Sequence, residues 1–206
     1  MPQLSSAFQQ QYAACQLSLP EAEVYLVPNF IAPAAQPQLQ QTLEQEAAWR
    51  QEEIRMFGKA VPQPRLTAWY ADAGKSYTYS GLRWEPLPWL PALRELRHQL
   101  EQTTGAAFNS VLLNLYRHGQ DSMGWHSDDE PELGRNPIIA SITLGAPRIF
   151  AFRHRQLPDQ KLRLTLPSGS LLLMAGATQH HWQHQLPKTA KAVEPRVNLT
   201  FRYILG

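Results

Sequence analysis

The sequence predicts a mainly β protein with flanking helices, a double-stranded β-helix or jelly roll. Three observations predict it. Segments of period-two alternation follow one another from Gly105 to the end of the chain. Pro occurs 17 times, which favours strands and loops over a helical bundle. Evenly spaced short strands without an internal repeat suit two packed sheets better than a solenoid. The 206 residues fit one domain, and 43% hydrophobic residues supply a sizeable core.

In chain order, residues 1–20 are Gln-rich and weakly periodic, which predicts a flexible or loosely docked N-terminal arm before a domain spanning 21–206. Val24 to Val27 predicts a strand. Pro33 to Trp49 predicts a helix, with Leu39 and Leu43 four apart and Pro33 suited to its first turn. Arg65 to Tyr70 reads as a strand. Leu93, Leu96 and Leu100 mark one face of a second helix opened by Pro91. After Gly105, Val111, Leu113 and Leu115 alternate with Leu112, Asn114 and Tyr116. Ile138 to Leu144, Arg148 to Arg153, Leu162 to Leu166 and Leu171 to Met174 are further strands. Pro167-Ser168-Gly169 turns between the last two. Arg196 to Tyr203 closes the barrel.

The single cysteine, Cys15, excludes an internal disulfide framework and a Cys-based zinc site. A net charge of +2 is no polycation, so nucleic-acid binding would rest on local clusters. No apolar run approaches the ~20 residues that span a bilayer, and Met1-Pro2-Gln3-Leu4-Ser5 lacks the basic and apolar regions of a leader. A soluble monomer is expected, cytoplasmic in a bacterium or nuclear in a eukaryote.

His126 and Asp128 are two residues apart, a spacing that puts both side chains on one face if a strand carries them. A later histidine from His180, His181 and His184 would complete two imidazoles and one carboxylate. That set occupies one face of a non-heme iron and leaves the other open. By itself His-x-Asp is commonly a surface pair. The last strand adds weight. Arg196, Asn198, Thr200 and Arg202 share one face, and Val197, Leu199 and Phe201 the other. Arginines on a wet face are ordinary, but turned inward they need partners. A dicarboxylate lying between them would account for the pattern.

These stretches resemble the AlkB family of Fe(II)/2-oxoglutarate-dependent dioxygenases. The matching motifs are Tyr77-Thr78-Tyr79-Ser80-Gly81, Asn114-Leu115-Tyr116, Gly124 to Glu130, His181-Trp182-Gln183-His184 and Pro195 to Arg202, in the family's order. The resemblance is nearest to members that repair duplex DNA. It implies that His126, Asp128 and His184 bind iron. It also implies that Arg196 pairs with the distal carboxylate of 2-oxoglutarate, and that Arg202 serves the metal-chelating end. Asn114, Tyr116 and Asn198 would contact the same cosubstrate.

With O2, such an enzyme removes N-alkyl groups from bases such as 1-methyladenine and 3-methylcytosine, and etheno adducts. It releases formaldehyde, succinate and CO2. The substrate is alkylated DNA, double- or single-stranded, with RNA as a further possibility. A base in a duplex must be flipped out to react. The resemblance gives Tyr79 and His126 as walls around the flipped base, with Tyr77 and Arg65 lining the pocket and Asp129 and Glu130 near the base's exocyclic amine. Residues of about 50–85 would form a nucleotide-recognition lid. Within it, Met56-Phe57-Gly58-Lys59 resembles an intercalating finger with Phe57 as the wedge. Arg148, Arg153, His154, Arg155, Lys161, Arg163, Lys188 and Lys191 form a basic set suited to phosphates. Two alternatives stand beside this: the same chemistry on RNA, protein or a small molecule, and a jelly-roll binding module without turnover.

Overall fold

The computed structural model describes residues 3–56, 59–75, 77–79 and 82–205, with side chains described outside 54–59 and 76–84. Fourteen strands are described. They are β1 (Glu23–Val27), β2 (Glu53–Met56), β3 (Lys59–Pro62), β4 (Leu66–Ala71), β5 (Tyr77–Tyr79), β6 (Leu82–Trp84), β7 (Ser110–Tyr116), β8 (Met123–His126), β9 (Ile139–Gly145), β10 (Arg148–His154), β11 (Lys161–Leu166), β12 (Leu171–Ala175), β13 (Trp182–Leu186) and β14 (Arg196–Arg202). The helices are α1 (Ser6–Gln11), α2 (Gln36–Glu46), α3 (Pro91–Thr104) and the single turn α4 (Thr178–His181).

Two antiparallel sheets face each other. The larger has the order β1-β12-β9-β14-β7-β4, the smaller β11-β10-β13-β8. Such interleaving of early and late strands is the jelly roll the period-two segments predict. The alternation explains the layering. Val197, Leu199 and Phe201 of β14 join Leu113, Ile142, Leu171 and Leu173 in a core beneath the helices, where Leu43 of α2 and Leu93, Leu96 and Leu100 of α3 cover them. Trp69, Leu112, Ile139 and Leu172 point the other way and meet Phe152, Leu166 and Trp182 of the small sheet. α3 stops at Gly105, whose φ of 73° is the left-handed cap that glycine adopts without strain.

Several boundaries differ from expectation. α2 begins at Gln36, so Pro37, not Pro33, occupies its first turn. Residues 3–20 are docked, not a free arm. Ser5 caps α1 by accepting from the Phe8 N–H at 3.1 Å, and its own N–H donates to Thr104 O. Phe8 is 1% exposed and packs edge-on against Tyr25. Trp182 Nε1 donates to Pro20 O, tying the end of the segment to β13. Gln-rich composition masked a periodic apolar face, Leu4, Phe8 and Tyr12, spaced by four. β2 and β3 pair as a hairpin with Met56 opposite Lys59. Phe57, the expected wedge, lies outside the described residues.

Candidate iron and 2-oxoglutarate site

β14 lies between β9 and β7, and register fixes what its polar face meets. Asn198 is opposite Asn114 and Thr143, and Arg196 opposite Tyr116 and Gly145. The whole strand is buried. Asn114, Tyr116, Arg196, Asn198 and Arg202 line one cavity between the sheets, together with His126, Asp128 and His184.

The candidate iron set is assembled differently from the expected pair on one strand. β8 ends at His126, and Asp128 lies two residues beyond it, in the loop that follows. β13 supplies His184, opposite His126 in the ladder. The ladder is bulged, because Leu186 pairs with Met123 while His184 pairs with His126. His184 Nε2 is 3.7 Å and His126 Nε2 4.0 Å from the Asp128 carboxylate, and all three ligand atoms lie within 4.8 Å of one another. Ligands about 2.1 Å from one ion sit about 3 Å or slightly more apart, so small side-chain rotations close the set. The tautomer is right for a metal. His126 Nδ1 faces Gly124 O at 2.9 Å, and a carbonyl only accepts. Nδ1 therefore carries the proton, and Nε2 keeps its lone pair.

Charge states suit ligation as well. Burial pushes His184 down to about 3, and the neighbouring His126 adds to this, so the ring is neutral at physiological pH. Burial lowers His126 too. Burial would raise Asp128, but Arg202, His184 and His126 more than offset it and hold the carboxyl below its usual range. Arg202 Nη2 donates to Asp128 Oδ1 at 2.6 Å, which puts this arginine at the end of the cavity where His126, Asp128 and His184 converge. The Asp128 N–H donates to Gln179 Oε1 at 2.9 Å.

Arg196 sits at the other end. It is 2% exposed, stacks over the Tyr116 ring at 5.3 Å, and donates from Nη2 to Thr143 Oγ1. Its Nε is buried without a hydrogen-bond partner among the described residues, and no carboxylate there lies within ion-pair distance. Burial pulls this guanidinium down to about 10, still fully charged at neutral pH. A buried cation with an unused donor calls for an anion. Arg65 Nε donates to Asn114 Oδ1 at 2.9 Å, which turns the Asn114 amide hydrogens toward any acceptor in the cavity. Asn198 is more occupied: its Nδ2 donates to Ser141 Oγ and Ile142 O, so it braces the polar face.

Other expected residues fare variously. Asp129 is exposed and paired with Arg155 Nη2 at 2.6 Å, and that same nitrogen donates to Ser127 Oγ. Arg155 thus ties down both neighbours of Asp128. Glu130 opens the 3-10 turn Pro131–Leu133 and is half-buried. Tyr77 and Tyr79 lie on β5, paired with β6, and their side chains lie outside the description. The basic set is split. Arg148 is buried, His154 is 4% exposed, and Arg153 lies 4.4 Å over the Trp125 ring while donating to Gln183. Lys161, Arg163, Lys188 and Lys191 stay exposed. Sequence reasoning missed Gln179 and the Ser141/Thr143 pair, and gave Arg155 to phosphates, not to the loop that carries Asp128. The pair was readable, since Ser141 and Thr143 alternate with Ile142 and Leu144 on β9.

A second cluster has metal-like spacing. His154 Nε2 is 3.0 Å and His181 Nδ1 3.5 Å from Glu21 Oε2. Here the tautomer is wrong. His154 Nδ1 accepts from the N–H groups of Gln156 and Leu157, so the proton is on Nε2 and is donated to Glu21. The cluster fastens the N-terminal segment, with Glu21 in a left-handed conformation at φ 55°.

A jelly roll with two histidines and a carboxylate beside a buried, anion-seeking arginine defines a non-heme iron oxygenase of the keto-acid-dependent kind. A family model described as the 2OG-Fe(II) oxygenase superfamily matches residues 23–202. The chain belongs to that superfamily. It is 44% identical over 192 residues to "Alpha-ketoglutarate-dependent dioxygenase alkB homolog 3" of Homo sapiens, covering 89% of this chain and 66% of the human protein. It is 47% identical over 159 residues to "DNA oxidative demethylase ALKBH2" of Bos taurus, covering 74% of this chain and 57% of the bovine one. The chain thus spans less than two thirds of these relatives' length. A solved structure described as "The structure of OsALKBH1" superposes with a TM-score of 0.61 at 18% identity, covering 91% of this chain and 99% of that one, a likeness of fold. No described helix is long and apolar enough to cross a membrane.

Proposed function

We propose that the protein is an Fe(II)- and 2-oxoglutarate-dependent demethylase of N-alkylated bases in DNA. The observation that carries this reading is the buried Arg196, which meets no carboxylate among the described residues, on the same cavity as the His126–Asp128–His184 cluster. The names of its relatives, an α-ketoglutarate-dependent dioxygenase and a DNA oxidative demethylase, support the substrate class.

Bound Fe(II) would supply oxidation of an N-alkyl carbon by O2, coupled to decarboxylation of 2-oxoglutarate to succinate and CO2. The chain's residues do the rest. Asp128 stays anionic because Arg202 donates to it, and His126 and His184 offer neutral Nε2 atoms. Arg196 takes the distal carboxylate, with Tyr116 beneath its guanidinium and Asn114 donating an amide hydrogen. Met123, Phe150, Met174 and Leu186 exclude water from the cavity. The hydroxymethyl adduct that forms on the base collapses to formaldehyde and the unmodified base.

The substrate side rests on shape. His126, with its side chain 24% exposed, is the open rim of the cavity, where a flipped base can stack between it and Tyr79. Tyr77, Arg65 and Glu130 would border the base, and Phe57, joining β2 to β3, would fill the gap it leaves. Asp129 reaches a base only by exchanging its bond to Arg155. Lys161, Arg163, Lys188 and Lys191 suit phosphates.

The test is incubation with Fe(II), 2-oxoglutarate and single- or double-stranded oligonucleotides carrying 1-methyladenine, 3-methylcytosine or etheno adducts, read by mass spectrometry. Repaired base is expected, with one formaldehyde per methyl group removed and a two-carbon dialdehyde from an etheno bridge, and Asp128→Ala should abolish repair and aldehyde release alike. Repair by that variant, or succinate release indifferent to all the oligonucleotides, would overturn the reading.

A further inference from the structure

Arg148 is 3% exposed, yet its partners are carbonyl oxygens, not carboxylates. Nη2 donates to Pro187 O at 2.7 Å and Asp121 O at 3.1 Å, with a longer contact to Gly119 O at 3.5 Å. Nη1 donates to His118 O at 3.3 Å. The nearby Asp121 carboxylate is taken by Arg117, which holds it through Nε, Nη2 and its own N–H at 2.8, 3.0 and 2.9 Å. One guanidinium therefore bridges two loops, 117–122 between β7 and β8 and 187–195 between β13 and β14.

Those loops meet elsewhere along one seam. Thr189 N–H donates to Gly119 O at 2.8 Å, and Gln120 Nε2 to Thr189 O at 3.1 Å. A Cβ at Gly119 would lie 2.5 Å from Thr189 O and 2.8 Å from Lys191 O, so the backbones touch where only glycine fits. The first loop leaves Tyr116 and the second arrives at Arg196, residues that pair in the sheet. The seam thus closes the end of the barrel at which Arg196 stands.

We propose that Arg148 is a positioning residue for 2-oxoglutarate: it fastens both loops over the distal-carboxylate end of the cavity and adds a second fixed positive charge behind Arg196. The proposal rests on the placement of the distal carboxylate at Arg196. The guanidinium suits this, because Nη2 reaches carbonyls of both loops while Nη1 adds His118 O, a spread of acceptors that a single, shorter-reaching ammonium would not cover. The loop it holds carries Lys188 and Lys191, so the same fastening joins an outward basic surface to the cosubstrate pocket.

The test uses the full chain loaded with Mn(II), which binds without turnover. Calorimetry would compare 2-oxoglutarate with 2-oxobutanoate, which keeps the chelating end and lacks the distal carboxylate. For Arg148→Lys and Arg148→Met we expect 2-oxoglutarate affinity to fall by about tenfold or more, with 2-oxobutanoate changed by less than about twofold. Hydrogen exchange of the Thr189 amide should quicken in both. Unchanged 2-oxoglutarate affinity, or equal losses for both keto acids, would overturn the proposal. Arg196→Met separates the two layers: if it too leaves 2-oxoglutarate binding intact, the carboxylate placement itself is wrong. If it selectively loses 2-oxoglutarate while the Arg148 variants do not, Arg148 alone is refuted. Should the Arg148 variants fail to fold, Gly119→Ala opens the same seam and must give the same selective loss, or the idea fails.

Discussion

His184 shows how burial prepares a ligand. In an unfolded chain its imidazole titrates near 6.5; in the folded protein burial holds it near 3. Between those values the unfolded chain binds more protons, so stability is intact above about pH 6.5 and drains away as pH falls. Asp128, also depressed, has the same sign. The metal-free protein should therefore melt at progressively lower temperature from pH 7 to pH 4. His184→Gln should flatten that slope, measurable by differential scanning fluorimetry, and an unaltered slope would contradict the burial argument. Arg202→Met should be more damaging than its distance from the substrate suggests. It leaves the Asp128 carboxylate, 1% exposed, without its shortest partner, at a cost of about 3–5 kcal/mol for a broken buried pair. Denaturant unfolding of the metal-free variant reads this directly.

Among the elements, β14 was the most legible, because alternation of Arg196, Asn198, Thr200 and Arg202 with Val197, Leu199 and Phe201 encodes both of its faces. β8 was the least. Its bulge and early end mean that the His126-x-Asp128 spacing, read as same-face strand geometry, works through a loop that Arg155, Gln179 and Arg202 hold in place. No local pattern announces the roles of Arg155 and Gln179, since each acts through a partner at least 26 residues away. The basic set misled for a related reason: charge is visible in a sequence, but whether carbonyls or rings consume it is not. α1 is a strut, not an arm. Phe8→Ala should cost about 3–5 kcal/mol of unfolding free energy, as for other buried Phe truncations, and a loss under about 1 kcal/mol would restore the flexible arm. The β2–β3 hairpin carries the opposite expectation. Phe57→Ala should leave stability unaltered and impair repair of duplex DNA more than of single strands. Equal impairment on both would remove the wedge.

Across the whole molecule, α1, α2 and α3 cover one face of the large sheet and leave the cavity between the sheets to the polar face of β14. Cofactor and fold are thereby linked. A ligand at a hundredfold excess over its dissociation constant stabilises by about 2.7 kcal/mol. Mn(II) and 2-oxoglutarate should each raise the melting temperature, and a chelator should reverse the metal's share. Lack of any shift with both present would count against the site. The small sheet adds something further. β8 stands at its margin, hydrogen-bonded to β13 alone among the described strands and through a bulged ladder. An ion clasped by His126, Asp128 and His184 would rivet this loose selvage to its neighbour. The amide protons of residues 123–126 would then serve as a gauge of iron loading, readable in a protein that has never met its substrate.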